Sequence, residues 1–362
     1  MENCLEGKCI HRLERLTSLD QLELLRPEWA ELWGRCPSAT PFQSPDWLIA
    51  WWRHLGQGEL WVLALRDETH LRAVAPFVIT EAPVSCQRQL LLLGTGISDY
   101  LDLLIEPEFE SVAAEAILSY LDSHHDSWDV GDFQQLPGTS ALLALETLPG
   151  WKSQITVQEV CPVLRLPSDE QELPAYVPLQ MMAKLRYYRK RAEKAAPTQV
   201  EAVDADNFQD LFESLLRLHQ ARWGARGQNG VLADERLKEF HREVARRFLA
   251  RGALRLYGLR VGAETVASLY AFSHRRRSFY YLGGFKPEFA PLSPGTLMIG
   301  YAIEQAIQEG AAEFDFLRGR EAYKYLWGAR GRLNYRRQFR HAAAVGPNTV
   351  ALQPMAGRIL PH

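Results

Sequence analysis

Apolar side chains recur every three or four positions through "DNFQDLFESLLRLHQARW" (206–223): Phe208, Leu211, Leu215, Leu218 and Arg222 fall near one stripe. That period predicts a helix with one buried face. "ADERLKEFHREVARRFLARG" (233–252) repeats it and closes at Gly252, and "EFESVAAEAILSYLDSH" (108–124) does so more loosely. "SPDWLIAWWRHL" (44–55) places Ser44 as N-cap and Pro45 at the first helical position. "SPGTLMIGYAIEQAIQEG" (293–310) does the same with Ser293, Pro294 and a terminal Gly310. Between these helices lie short apolar or alternating runs of strand length. They fall at 59–66, 71–79, 88–94, 100–105, 128–136 and 160–166, with a short helix near 139–147, and then at 253–260, 265–273, 278–285, 312–317 and 333–340.

The order of these elements predicts an α/β (α+β) chain of two related units, each a mixed, mostly antiparallel sheet flanked by helices. "PSDEQELPAYVP" (167–178) breaks the pattern with three prolines and a run of acids. The expected layout is a first unit over 1–166, a linker over 167–180, a second unit over 181–345 and a tail over 346–362. A length of 362 residues suits two cores, and 47% hydrophobic with 23% charged residues describes a globular chain.

Charge and cysteines narrow the chemistry. A net charge of −3 argues against a surface that coats DNA, so any anion site must be local. Cys4, Cys9, Cys36, Cys86 and Cys161 are scattered without zinc spacing, which predicts free thiols and no metal. "MENCLEGKCIHRLERL" has no apolar signal core, and the apolar runs are far shorter than a membrane span. A cytoplasmic location and no membrane span are the expectations.

Two stretches carry candidate chemistry. At "KPEFAPLSPGT" a strand delivers a helix N-terminus, whose free N–H groups suit an anion, and Gly295 would let it approach the backbone. The same letters also describe a capped helix that binds nothing. In "FDFLRGREAYKYLWG" (314–328) alternation puts Asp315 opposite Phe314 and Phe316. Helical spacing after Gly319 then stacks Tyr323 on Trp327 beside Lys324. Acyl transfer to an amine needs a base, oxyanion donors and an acid for the leaving group. Asp315, Lys324 and Tyr323 could supply them, or Asp315 could pair with Arg318 or Arg320 while Lys324 sits in water. "KLRYYRKR" (184–191) sets Lys184, Arg186, Arg189, Lys190 and Arg191 on a helix, either gripping a phosphorylated donor or acidic carrier or merely solvated. His219 is either a cleft base or a hydrogen-bonded, partly buried histidine.

Together the motifs resemble a known family. "PFQSPDWLIAWWRHLG", "LGTGISDYLDLLI", "LLRLHQARWGARGQNGVL", "LYGLRVGAETVASLYAF", "FYYLGGFKPEFAPLSPGTLM" and "EFDFLRGREAYKYLWG" stand in the order found in the CelD-like, cellulose-biosynthesis-associated branch of the GNAT-type acyltransferases. The set is also similar to the FemAB-like transferases, which carry two GNAT-like units. The resemblance implies Lys324, Asp315, Tyr323 and Glu321 as catalytic candidates, with Lys324 foremost. Ser293, Gly295, Thr296, Arg318 and Gly319 would hold the donor, and His219, Arg222, Trp223, Arg226 and Trp327 the acceptor. It implies no covalently bound cofactor, with acyl-CoA or an acyl carrier protein as co-substrate. The acceptor would be an amino group of a sugar, a polysaccharide precursor or an amino acid, and a polysaccharide-synthesis complex the partner it suggests. A pyrophosphate loop of the Q/R-x-x-G-x-G/A kind is missing. That leaves open an aminoacyl-tRNA donor or a non-catalytic scaffold.

Overall fold

Local sequence sets the element ends. Ser44 Oγ accepts from Trp47 N–H at 3.2 Å and Pro45 fills N1 of its helix. Asp234 Oδ1 accepts from Arg236 N–H at 2.8 Å. Both caps supply acceptors to first-turn amides. The computed structural model describes residues 11–341 apart from 146, 148, 149 and 225–229. It divides into two units: the first runs to Gln158 and resumes at Asn334, and the second runs Glu159–Leu333.

The first unit contains β1 (Arg12–Leu16), β2 (Glu59–Arg66), β3 (Leu71–Glu81), β4 (Arg88–Leu92), β5 (Leu104–Ile105) and β6 (Val130–Pro137). Its helices are α1 (Leu19–Arg35), α2 (Pro45–Leu55), α3 (Glu110–Ser123) and α4 (Ala141–Ala144). From β1 to β4 neighbouring strands are antiparallel; β4 pairs with β6 in parallel, and β5 pairs with β3. Trp61, Phe77 and Phe133 fill the core between sheet and helices. Asp132 takes a bidentate pair from Arg336 at 2.6 and 2.7 Å, so both charges are buried and satisfied.

The second unit is built from β7 (Trp151–Arg165), β8 (Thr198–Ala202), β9 (Leu254–Val261), β10 (Glu264–His274), β11 (Arg277–Phe285) and β12 (Glu313–Asp315). Its helices are α5 (Leu179–Ala195), α6 (Phe208–Gly224), α7 (Glu235–Ala250), α8 (Pro294–Gln308) and α9 (Ala322–Leu326). β8 to β11 run antiparallel, β11 pairs with β12 in parallel, and β12 is antiparallel to β7. The two units thus share one plan: an antiparallel meander, a helical crossover, one parallel strand and one antiparallel strand.

The closing strands differ from the expected layout. Residues 159–165 of β7 belong to the second unit, where Val163 and Leu164 register with Asp315 and Phe314. The last strand, β13 (Arg330–His341), enters the first unit at Asn334, and Phe339 registers there with Gly131 of β6. Each lies in the opposite unit to the one predicted. Alternation tells which residues of a strand share a face but not which edge receives it. The predicted linker is also folded: Glu170–Ala175 forms a 3₁₀ turn, and Leu173 and Val177 join the core of the second unit. The predicted tail over 346–362 lies outside the described residues.

Candidate active site

The site grows out of β11 and its contacts. Tyr270 of β10 registers with Leu282, but the next residue, Ala271, registers with Tyr280, so Tyr281 is bulged out. A bulge shifts the alternation by one residue. Tyr280, Gly283 and Phe285 are therefore the cross-strand partners of Ala271, Leu269 and Ala267, which face the core beneath α8. Gly284 faces the other way. A Cβ there would lie 2.3 Å from His219 N and 2.4 Å from Leu218 C, so only glycine lets the α6 backbone come this close. That approach carries Arg222, near the end of α6, to Gly283 O at 3.2 Å.

These elements enclose a cavity of about 230 Å³ in the second unit. Its floor is apolar, from Ala267, Leu269, Met298, Ile299 and Trp327. Arg222, Tyr280 and Tyr323 also line it. Tyr323 and Arg222 flank Tyr280 and both influence its hydroxyl. Burial holds both phenols neutral, with pKa values above the ordinary tyrosine range, and Arg222 opposes this for each. Arg222 Nε is buried with no hydrogen-bond partner among the described residues.

The cavity is also lined by the start of α8, with Ser293, Gly295 and Thr296, and by Lys184 of α5. Ser293 sits in the left-handed region (φ 50°) and, against expectation, does not cap the helix with its side chain. Its hydroxyl bonds Thr296 Oγ1 at 2.9 Å. Thr296 and Leu297 N–H both reach Ser293 O, which leaves Gly295 N–H without a partner among the described residues. A Cβ at Gly295 would meet nothing within 4 Å.

Lys324 and Asp315 do not line this cavity. Lys324 is 1% exposed; its ammonium donates to Arg318 O at 2.7 Å and Leu317 O at 3.3 Å. Glu321 Oε2 lies 3.0 Å away, off hydrogen-bond geometry, so that contact is Coulombic. Asp315 is fully buried; its Oδ1 accepts from Leu317 N–H at 2.8 Å, and Arg332 lies 3.6 Å from Oδ2. Between them Leu317 adopts φ 56° and Gly319 φ 116°. Of the candidates for catalysis and donor binding, Lys324 and Asp315 therefore do not share the cavity that Gly295 lines. Lys324 and Asp315 grip a left-handed turn from inside, because a strand end that reverses there leaves carbonyls and an amide needing buried partners.

The remaining predicted residues divide between the wall and what stands behind it. Ser293, Gly295, Thr296, Arg222, Tyr323 and Trp327 line the cavity. Glu321, Arg318 and Gly319 belong to the turn, where Gly319 N–H donates to Val160 O at 3.0 Å. His219 and Trp223 lie behind the wall, with Trp223 Nε1 donating to His219 Nε2 at 3.0 Å. Burial, and secondarily Arg222, lowers the His219 pKa to about 4, so it is a neutral acceptor rather than a poised base. Arg226 lies outside the described residues. Tyr280 was missed; the Gly283–Gly284 pair after it was the available signal, since paired glycines in a strand mark close approach. Among the described residues no group of His, Cys, Asp and Glu is placed to hold a metal ion, and no helix is long and apolar enough to cross a membrane.

Residues 180–325, which contain all of the cavity lining but Leu326 and Trp327, match the family model of the GNAT acetyltransferase domain. No curated protein matches the chain in sequence. In fold the chain is similar to FemX (TM-score 0.64, 11% identity, covering 90% of this chain and 96% of that one). It is also similar to a conserved protein of unknown function from Bacteroides thetaiotaomicron (TM-score 0.57, 10% identity, 91% and 100%). A third likeness is to the C-terminal DUF2156 domain of a putative lysylphosphatidylglycerol synthetase from Agrobacterium fabrum (TM-score 0.55, 11% identity, 89% and 92%). At such identities these likenesses show the fold. The matched domain makes the general chemistry that of a GNAT-like N-acyltransferase.

Proposed function

We propose, starting from that domain, that the cavity of the second unit takes the acyl-bearing arm of a thioester donor and passes its acyl group to an amine. One observation carries the reading. A single apolar-floored cavity joins an uncapped helix N-terminus to an Arg222 with an unpaired Nε–H and a hydrogen-bonded tyrosine pair. The donor's anionic portion is assigned to the Gly295 and Lys184 end, where amide and ammonium are both available. The thioester carbonyl is assigned to the other end.

Attack of a neutral amine forms the C–N bond and puts charge on the carbonyl oxygen. A fixed guanidinium N–H suits that charge because it needs no reorganisation. Collapse breaks the C–S bond, and the proton released by the amine balances the one taken up by the thiolate. Tyr280, fed by Tyr323, then needs only to donate a hydrogen bond to the departing sulfur. Lys324 and Asp315 enter this scheme as positioning residues that hold the turn before Tyr323. The acceptor belongs to the same proposal: an amino sugar, a polysaccharide precursor or an amino acid, the acceptors that the CelD-like motif order implies.

Gly295→Asp tests the donor end. The new side chain meets open space, and an acid in the first turn favours the helix by about 0.3–1 kcal/mol. Melting temperature should hold or rise, while calorimetric affinity for acetyl-CoA should fall at least ~10-fold by charge repulsion. A wild-type protein that binds neither acetyl-CoA nor acetyl-pantetheine overturns the donor assignment. Activity destroyed by ribonuclease would transfer the reading to an aminoacyl-tRNA donor.

A further inference from the structure

Helix α5 carries an exposed cationic stripe that begins at the cavity. Lys184, Tyr187, Arg191 and Lys194 follow one another at helical spacings of three and four. Lys184 lines the cavity, and the stripe leads away from it for about 15 Å at the helical rise. Elsewhere in the second unit several arginines meet carboxylates: Arg247 with Glu243, Arg255 with Glu309, Arg332 with Glu313. On α5 only Arg189 is so paired among the described residues, to Glu304 at 2.5 Å. The helix's one acid, Glu193, lies with Arg189 on a different groove, against β8.

The stripe also has apolar company. Tyr187 is 56% exposed, Leu179 at the start of α5 is 72% exposed, and Leu326, itself a cavity residue, is 51% exposed. Unpaired cations set among exposed apolar side chains match an acidic protein surface with apolar contacts. A nucleic acid would ask for cations spread over a wider face, and the chain's net charge is −3. A cavity that shares Lys184 with such a surface suits a long arm presented by a macromolecule seated outside.

Resting on the thioester reading above, we propose that α5 docks an acidic carrier protein that presents the acyl thioester on its prosthetic arm, with Lys184, Tyr187, Arg191 and Lys194 meeting the carrier's carboxylates. The test compares an acetylated type II acyl carrier protein with acetyl-pantetheine, using the wild type and an Arg191→Glu/Lys194→Glu variant whose changes lie outside the cavity. Fluorescence anisotropy reads carrier binding without any turnover. The variant should raise both Kd and KM for the carrier thioester at least ~10-fold and leave kcat/KM for acetyl-pantetheine within about 2-fold, and wild-type binding should weaken steeply with salt. Equal carrier affinity in both proteins overturns the proposal. So does a loss confined to RNA or to anionic lipid vesicles, which would make one of those the occupant. Carrier binding that obeys the charge reversal without any acyl transfer keeps the docking face and removes the thioester reading instead.

Discussion

The turn gripped by Lys324 and the wall that carries Tyr323 are adjacent in sequence and treat polar groups in opposite ways. In the turn, the ammonium, the Asp315 carboxylate and the backbone of Leu317 and Arg318 satisfy one another, sealed from solvent. In the wall, Arg222 Nε–H and Gly295 N–H are left over beside open volume. Buried polar groups that are fully paired hold structure, whereas groups left unpaired around a cavity need a ligand. The acid and amine of the motif fall in the first class, paired and buried, and its tyrosine stands with the second, on the cavity wall.

The largest effect expected is on stability. Lys324→Met strands two carbonyls and the Glu321 carboxylate, at a cost of about 3 kcal/mol, read as a lower denaturation midpoint with unchanged slope. A variant as stable as wild type but inactive would erase the contrast and place Lys324 on the substrate. Next, Arg222→Met should lower kcat/KM about 100-fold through the lost oxyanion donor, while costing only about 1 kcal/mol for the bond to Gly283 O. Equal loss of stability and activity would move Arg222 into the structural class. Tyr323→Phe should cost about 10-fold in kcat/KM, since Arg222 still flanks Tyr280. An unchanged rate would remove the tyrosine pair from the reaction.

The smallest effect is with pH. His219 is depressed to about 4 in the fold, below its ordinary 6.5, so its contribution to stability is complete above pH 6.5 and declines as pH falls toward 4. Its share of the slope is at most about 1.4 kcal/mol per pH unit. A urea series across that window on wild type and His219→Gln measures it. The rate constant kcat should show no inflection from His219 there; an ionisation near pH 6–7 that His219→Gln abolishes would make it a base.

Much of the fold was legible because it is written in local periodicity. The expected helices at 206–223, 233–252 and 293–310 became α6, α7 and α8 within a few residues at their ends. Three elements escaped. β1 and β8 are short strands at the sheet edges with few fully buried side chains, and the stripe of α1 is interrupted by Pro27. In the site, Gly295 and Arg222 were legible because a helix start and a stripe's end are sequence features. The burial of Lys324 was not, since nothing local says which carbonyls will be waiting for an ammonium.

By itself the sequence determined where most helices and strands begin, that the chain repeats one α+β plan, and that a helix start would follow a strand. Those properties depend on neighbours a few residues apart, through hydrogen bonding and side-chain period. Only the tertiary structure decided which unit received β7 and β13, which face of β11 Tyr280 would join, and whether Lys324 met water or carbonyls. Each of those outcomes turns on partners distant in sequence: a sheet edge, a single bulged residue and a buried turn. Their energies exist only once the chain has closed around them.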